Sequence, residues 1–172
     1  MVLFALNWQV NAQREEFSLQ NRNEVKLDVA YLLGLTLKVE YERLLNDWSS
    51  VGVVVLQNFS SGPQQFGTQV LGFYRLYFGR QPVSGFFLEG NLGITHGYDG
   101  HYYWIGGWRP RESYTAFGLG LALGWKWYIP RSGIVLDIFV GGGRLVRENN
   151  DRANYDRVMG YPRVGITIGR RF

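Results

Sequence analysis

The strongest order in this chain is a two-residue alternation. Over residues 117–129 the odd positions hold Phe117, Leu119, Leu121, Leu123, Trp125, Trp127 and Ile129, all large and apolar. The even positions hold Gly118, Gly120, Ala122, Gly124, Lys126 and Tyr128. Neighbouring side chains on a strand point to opposite faces, so this spacing predicts a strand with one apolar face and one small, then charged, face. A helix would scatter the same residues around its circumference.

The rule repeats along the chain. Residues 25–31 set Val25, Leu27, Val29 and Tyr31 against Lys26, Asp28 and Ala30, and residues 35–43 set Leu35, Leu37, Val39 and Tyr41 against Thr36, Lys38, Glu40 and Glu42. Residues 86–94 set Phe86, Leu88, Leu92 and Ile94 against Phe87, Glu89, Asn91 and Gly93. Residues 134–140 and 163–172 follow the same pattern, whereas 51–59 and 68–78 carry apolar side chains on both faces. The total is about eight strands, an even number. Connections at 46–50, 80–84 and 130–133 are tight, those at 58–65, 95–113 and 147–162 are long and polar, and the two kinds alternate. The connection at Leu33-Gly34 is tight where the alternation asks for a long one. The fold class this predicts is all-β: a closed up-and-down antiparallel transmembrane barrel with short periplasmic turns and longer external loops.

Bulk composition argues otherwise until the alternation is taken into account. Hydrophobic residues make up 46% of the chain and the mean hydropathy is -0.14. No run approaches the roughly 20 apolar residues of a membrane helix. A barrel strand spreads its apolar residues over every second position, so its average stays low. Aromatics are high at 16%, and 23 glycines against 5 prolines do not fit a disordered composition. With no cysteine there is neither a disulfide framework nor a thiolate metal site. The formal charge of +4 suits contact with anionic headgroups or lipopolysaccharide, and equally an ordinary solvated surface. At the start, Val10-x-Ala12 followed by Gln13-Arg14-Glu15-Glu16 resembles a secretory cleavage site. Residues 1–12 are therefore expected to be a signal-peptide remnant, 13–22 a periplasmic lead-in and 23–172 the barrel.

The function of such a barrel depends on which face looks inward. The polar face collects Lys26, Asp28, Lys38, Glu40, Glu42, Arg75, Glu89, Lys126, Asp137, Arg163 and Arg171, interspersed with glycines. Its signs nearly balance, as charges confined in a narrow lumen must, because an unpaired buried charge is prohibitive. Trp48, Tyr77, Phe78, Trp125, Trp127, Tyr128 and Phe172 fall beside the short turns or the C-terminus, which predicts an aromatic girdle at the periplasmic interface. A soluble lipid-carrier barrel, with the faces reversed, is the competing fold.

Several segments, taken in order, resemble a known group. These are Lys26-Leu27-Asp28 with Val39-Glu40-Tyr41-Glu42-Arg43-Leu44-Leu45-Asn46, then Phe73-Tyr74-Arg75-Leu76-Tyr77-Phe78 and Gly118-Leu119-Gly120-Leu121-Ala122-Leu123-Gly124-Trp125-Lys126-Trp127. Together with Tyr161-Pro162-Arg163-Val164-Gly165-Ile166-Thr167-Ile168-Gly169-Arg170-Arg171-Phe172, the set resembles small bacterial outer-membrane barrels of unknown function, of the eight-stranded OmpA/OmpX-like type. The phenylalanine after alternating apolar residues also resembles the β-signal read by the outer-membrane assembly machinery. That resemblance implies the machinery as a partner during biogenesis, and it carries no catalytic residues to transfer. Arg170 departs from the pattern at an outward position, where its guanidinium can snorkel to headgroups.

Chemistry is thinly represented. His96 and His101 share the connection at 95–113 with only Asp99 and Glu112 as nearby carboxylates, and no helix or strand spacing sets them as a metal site. A lipid-modifying hydrolase built on Ser113, one of these histidines and Glu112 is the enzymatic alternative. Gly141-Gly142-Gly143 lacks the Lys-Ser/Thr and the helix of a phosphate loop and predicts a bend in a strand. Tyr98, His101, Tyr102, Tyr103, Trp104, Trp108, Arg109 and Arg111 form an aromatic and basic stretch that predicts an external binding loop for glycan, lipopolysaccharide or an envelope protein partner. Residues 144–163 are Arg-rich and suited to lipid phosphates. The expectation is a structural or surface-interaction barrel of the bacterial outer membrane, without catalytic residues, metal or cofactor and with no nucleic-acid partner. A minor pore, or a subunit of an envelope complex, is the alternative.

Overall fold

A computed structural model describes residues 21–59, 64–99, 112–147 and 159–172. Their strands are β1 Asn23–Asp28, β2 Thr36–Asn46, β3 Ser49–Asn58, β4 Gln64–Tyr77, β5 Gly85–Asp99, β6 Glu112–Ile129, β7 Ile134–Arg147, β8 Met159–Pro162 and β9 Gly165–Arg171. Each strand from β1 to β7 pairs antiparallel with the next. Strand β7 pairs along one half with β9 and along the other with β8, and β9 pairs with β1. Strands β8 and β9 are two pieces of one stave, so the chain forms a closed antiparallel barrel of eight strands. Closure leaves most backbone groups paired and removes the long open edges of a flat sheet.

Three differences from the sequence reading have local causes. The first strand stops at Asp28 rather than continuing to Tyr31. The Asp28 carboxylate accepts hydrogen bonds from the amides of Ala30 (3.1 Å) and Tyr31 (3.4 Å) and so caps the short helix α1, Val29–Leu32. Strands β5 and β6 extend into the expected long loop, pairing as far as Asp99↔Glu112. Gly141-Gly142-Gly143 introduces no register shift, since it pairs in step with Ala122, Leu121 and Gly120. These glycines also make room: a Cβ on Gly143 would stand 2.3 Å from the Tyr161 ring.

The faces of the strands are sorted without ambiguity. Among the described residues the apolar side chains at outward positions, from Val25 and Leu27 through Leu119 and Leu121 to Ile166 and Ile168, are exposed, apart from the half-buried Val39 and Leu76. The charged positions of the same strands are buried inside the tube. Two small apolar clusters close the interior above and below the charges. Toward the long connections lie Val54, Leu71, Phe73, Tyr114, Ala116, Leu145 and Tyr161. Toward the short turns lie Leu44, Tyr77, Val83, Phe87 and Phe139.

Candidate functional site

Strand parity brings twelve charged side chains into one layer. Glu24, Lys26 and Asp28 come from β1, Lys38, Glu40 and Glu42 from β2, and Arg75, Glu89, Lys126 and Asp137 from β4, β5, β6 and β7. Arg163 stands between β8 and β9, and Arg171 ends β9. All are buried, with none more than 5% exposed. Six are cations and six are carboxylates, so the layer is neutral. Glu24 is the one member missing from the sequence list. Its signal was its parity with Lys26 and Asp28, one residue before the point where the apolar alternation begins. Register already makes neighbours of several opposite charges, as in Lys26↔Glu40, Arg75↔Glu89 and Lys126↔Asp137.

Ten of the twelve join into one network across the lumen, and Asp28 pairs with Lys38. The Lys26 ammonium lies 2.6 Å from both Glu40 and Asp137 and also donates to Glu42. The Arg75 guanidinium reaches Glu40, Glu42 and Glu89 at 2.9 Å and Asp137 at 3.0 Å. Lys126 bridges Glu24 and Glu42, both at 2.8 Å. Arg163 holds Glu89 at 2.8 Å, and Arg171 holds Glu24 at 2.7 Å. Lys38 donates to Asp28 (2.8 Å) and to the Val164 carbonyl (2.9 Å). Tyr77 and Ser50 donate their hydroxyls to Glu42, so that carboxylate is surrounded by donors.

Aromatic rings complete the shell. Phe73 and Phe87 pack against the Arg75 guanidinium at 4.4 and 4.6 Å from their centroids, and Phe139 against that of Arg163 at 4.4 Å. The Arg75 Nη2 and Arg163 Nη1 atoms have no hydrogen-bond acceptor, and the rings beside these guanidiniums supply only their π faces. Inward glycines provide the volume for the long side chains: a Cβ on Gly169 would lie 2.4 Å from Lys26 Cγ, and one on Gly165 2.2 Å from Asp28 Oδ2. Glu40, Glu42 and Asp137 offer oxygens within 4.8 Å of one another, a spacing a metal ion could use. The Lys26 ammonium and the Arg75 guanidinium fill that position instead. Buried ions in a layer closed at both ends need this degree of pairing to be tolerated at all.

The other candidates fall into three groups. Trp48, Phe78, Trp125, Trp127 and Phe172 are exposed near the short-turn end, with Trp125 and Trp127 at 6.3 Å between ring centroids. Tyr77 departs from the expected girdle because it shares the parity of Phe73 and Arg75. It is buried inside against Phe87 and bonded to Glu42. Tyr128 likewise takes the inward parity of Lys126 and lies under the Arg171 guanidinium at 3.8 Å. His101, Tyr102, Tyr103, Trp104, Trp108, Arg109 and Arg111 lie outside the described residues, as do 1–20; Tyr98 belongs to β5. The His96 ring is exposed and hydrogen-bonds Thr115 at 3.1 Å, while Ser113 stands opposite Tyr98 in the register. Comparison with protein families, with curated proteins and with solved structures finds no match to this chain.

Proposed function

We propose that this chain is an integral β-barrel of the bacterial outer membrane with a structural or surface-interaction role and a lumen sealed by its ion network. The observation that carries the proposal is the outward face. Among the described residues, thirty-six large hydrophobic side chains are exposed, against fifteen buried hydrophobic ones. A soluble monomer rarely exposes a contiguous apolar patch above a few hundred Å². Along β6 the apolar positions from Phe117 to Ile129 span about 40 Å at about 3.3 Å per residue, which a strand tilt of about 40° reduces to a band of roughly 30 Å. That height matches a hydrocarbon core. The short turns on one end and the exposed tryptophans beside them fit a periplasmic interface.

This reading includes kinship with small outer-membrane barrels of unknown function, insertion by the assembly machinery, contact with lipid and lipopolysaccharide, and no catalytic role. The test is refolding from denaturant into detergent or lipid vesicles, followed by electrophoresis with and without boiling. A folded membrane barrel migrates apart from the boiled chain. A chain that folds as a soluble monomer without detergent overturns the proposal. Conductance across a planar bilayer tests the sealed lumen: the ion layer and its two apolar plugs predict almost no current, and steady single-channel steps would make the protein a pore.

A further inference from the structure

The outer wall carries charge of one sign. Where side chains are described, every carboxylate except Asp47 is buried in the neutral interior layer. Arg43, Arg80, Arg131, Arg144 and Arg170 are exposed, and all but Arg144 stand at or near the short-turn end. Arg43 on β2 lies across from Asn23 on β1, while Arg170 on β9 lies across from Val25, so the two arginines flank β1 from either side. Between them the Tyr41 hydroxyl donates to the Asn23 Oδ1 at 2.8 Å. The Arg170 side chain runs along the turn at Gly133, with its Cγ 3.7 Å and its Nε 3.9 Å from where a Cβ would stand on that glycine. Gly133 precedes β7, so the Arg170 side chain leans along the rim of the barrel on the β7 side of β9. Exposed Phe172 borders the same place, its backbone bonded to Asn23.

Resting on the membrane reading above, we infer that Arg43 and Arg170 clamp the phosphate of an anionic glycerophospholipid at the short-turn interface. Guanidinium forks match phosphate oxygens in pairs. The apolar wall below them, Val25, Leu27 and Ile168, would take the acyl chains. The charge pattern favours an anionic over a zwitterionic lipid because no outward carboxylate other than Asp47 offsets the arginines among the described side chains. Outward cations surrounded by apolar residues are otherwise costly on a lipid-facing wall, and a phosphate partner at the membrane edge removes that cost.

The test is native mass spectrometry of the refolded full chain in detergent with equal amounts of phosphatidylglycerol and phosphatidylcholine. The wild type should retain phosphatidylglycerol in preference by roughly fivefold or more. The preference should fall to near parity in R43Q/R170Q, survive in R43K/R170K, which keeps the charge, and survive in R144Q at the opposite end. High salt applied to the wild type should erase it without any substitution. Equal preference in wild type and R43Q/R170Q overturns the site, and so does tighter retention of lipopolysaccharide through the same two arginines. A chain that shows no heat-modifiable fold in detergent overturns the membrane reading and this inference with it. A well-folded barrel without headgroup preference overturns only the inference.

Discussion

The wall made by β4 to β7 and the seam where β1 meets β9 close the same barrel by different means. In the wall the ladder is long: β5 and β6 pair without a break from Gly85↔Lys126 to Asp99↔Glu112. At the seam, β1 and β9 pair only from Glu24 to Asp28, with one more backbone exchange between Asn23 and Phe172. Above that point α1 replaces the strand, and β8 pairs with β7 alone. Side chains span what the backbone does not. Lys38 from β2 crosses to the Val164 carbonyl, and the Asp28 carboxylate accepts from the Ile166 amide at 3.4 Å. The ion layer therefore does more than fill a lumen. It completes the ring where hydrogen-bonded strand runs out.

The largest expected effect breaks the seam. Asp28→Ala removes the cap of α1 and leaves Lys38 buried beside a carbonyl without its counter-ion. Losing one partner of a buried pair costs about 3–5 kcal/mol, mostly because the other charge stays behind. Urea titration of the refolded barrel should show that loss. Hydrogen exchange should quicken at Leu27 and Ile168 well before Leu92 and Leu119, if the seam opens as a local unit. Uniform quickening along all staves would show that the seam has no independence from the wall.

Much of this division was legible in the sequence, and its limits are physical. The period-two pattern repeated along the strands gave the direction of each side chain, so eleven of the twelve buried charges followed from parity alone. Glu24 escaped because the residues before it, Arg22 and Asn23, are polar, and nothing apolar marks where β1 begins. The helical turn after Asp28 escaped because Val29 and Tyr31 continue the alternation, while a single capping carboxylate decides against it. Tyr77 and Tyr128 were misplaced by proximity to turns, although their parity with Arg75 and Lys126 carried the right answer. Which carboxylate meets which cation depends on tilt and stagger around the closed barrel, and no local pattern encodes that.

The second effect sharpens the contrast from outside. Leu121 is exposed in the middle of the wall, opposite Gly90 and Gly142. If that wall meets hydrocarbon, Leu121→Arg costs about 2–4 kcal/mol at the bilayer midplane. The same substitution at an exposed site in water costs within about 0.5 kcal/mol. Equilibrium unfolding in lipid vesicles measures the difference. A null result there would remove the lipid from the argument while leaving the barrel intact. A smaller effect concerns the glycine floor under Tyr161, whose hydroxyl reaches Asn91. Gly143→Ala puts a methyl within 2.3 Å of that ring, and overpacking of this kind costs roughly 1–3 kcal/mol. Combined with Tyr161→Ala the penalty should largely disappear, so a double-mutant cycle gives a coupling between the two residues. Additive losses would mean that the ring moves aside freely.

The smallest effect separates the regular wall from the turn that plugs its base. Val54 on β3 and Val83 in the turn between β4 and β5 are both buried, at 1% and 0% exposure. Val83 alone has a positive φ, 46°, which a β-branched residue adopts only under strain. Its position is held by its amide bonding the Asp47 carbonyl at 2.8 Å and its carbonyl accepting from Arg171 at 3.3 Å. Replacing Val54 with glycine loses burial and adds chain entropy, for a cost of about 3 kcal/mol. Replacing Val83 with glycine loses the same burial but releases about 1–2 kcal/mol of backbone strain. The two terms oppose, so Val83→Gly should destabilise by only about 1 kcal/mol, read as a small shift of the urea midpoint. Equal losses at the two valines would mean that the turn is relaxed. In that case the plug would rest on Val83 side-chain packing alone, with no strain held in place by Asp47 and Arg171.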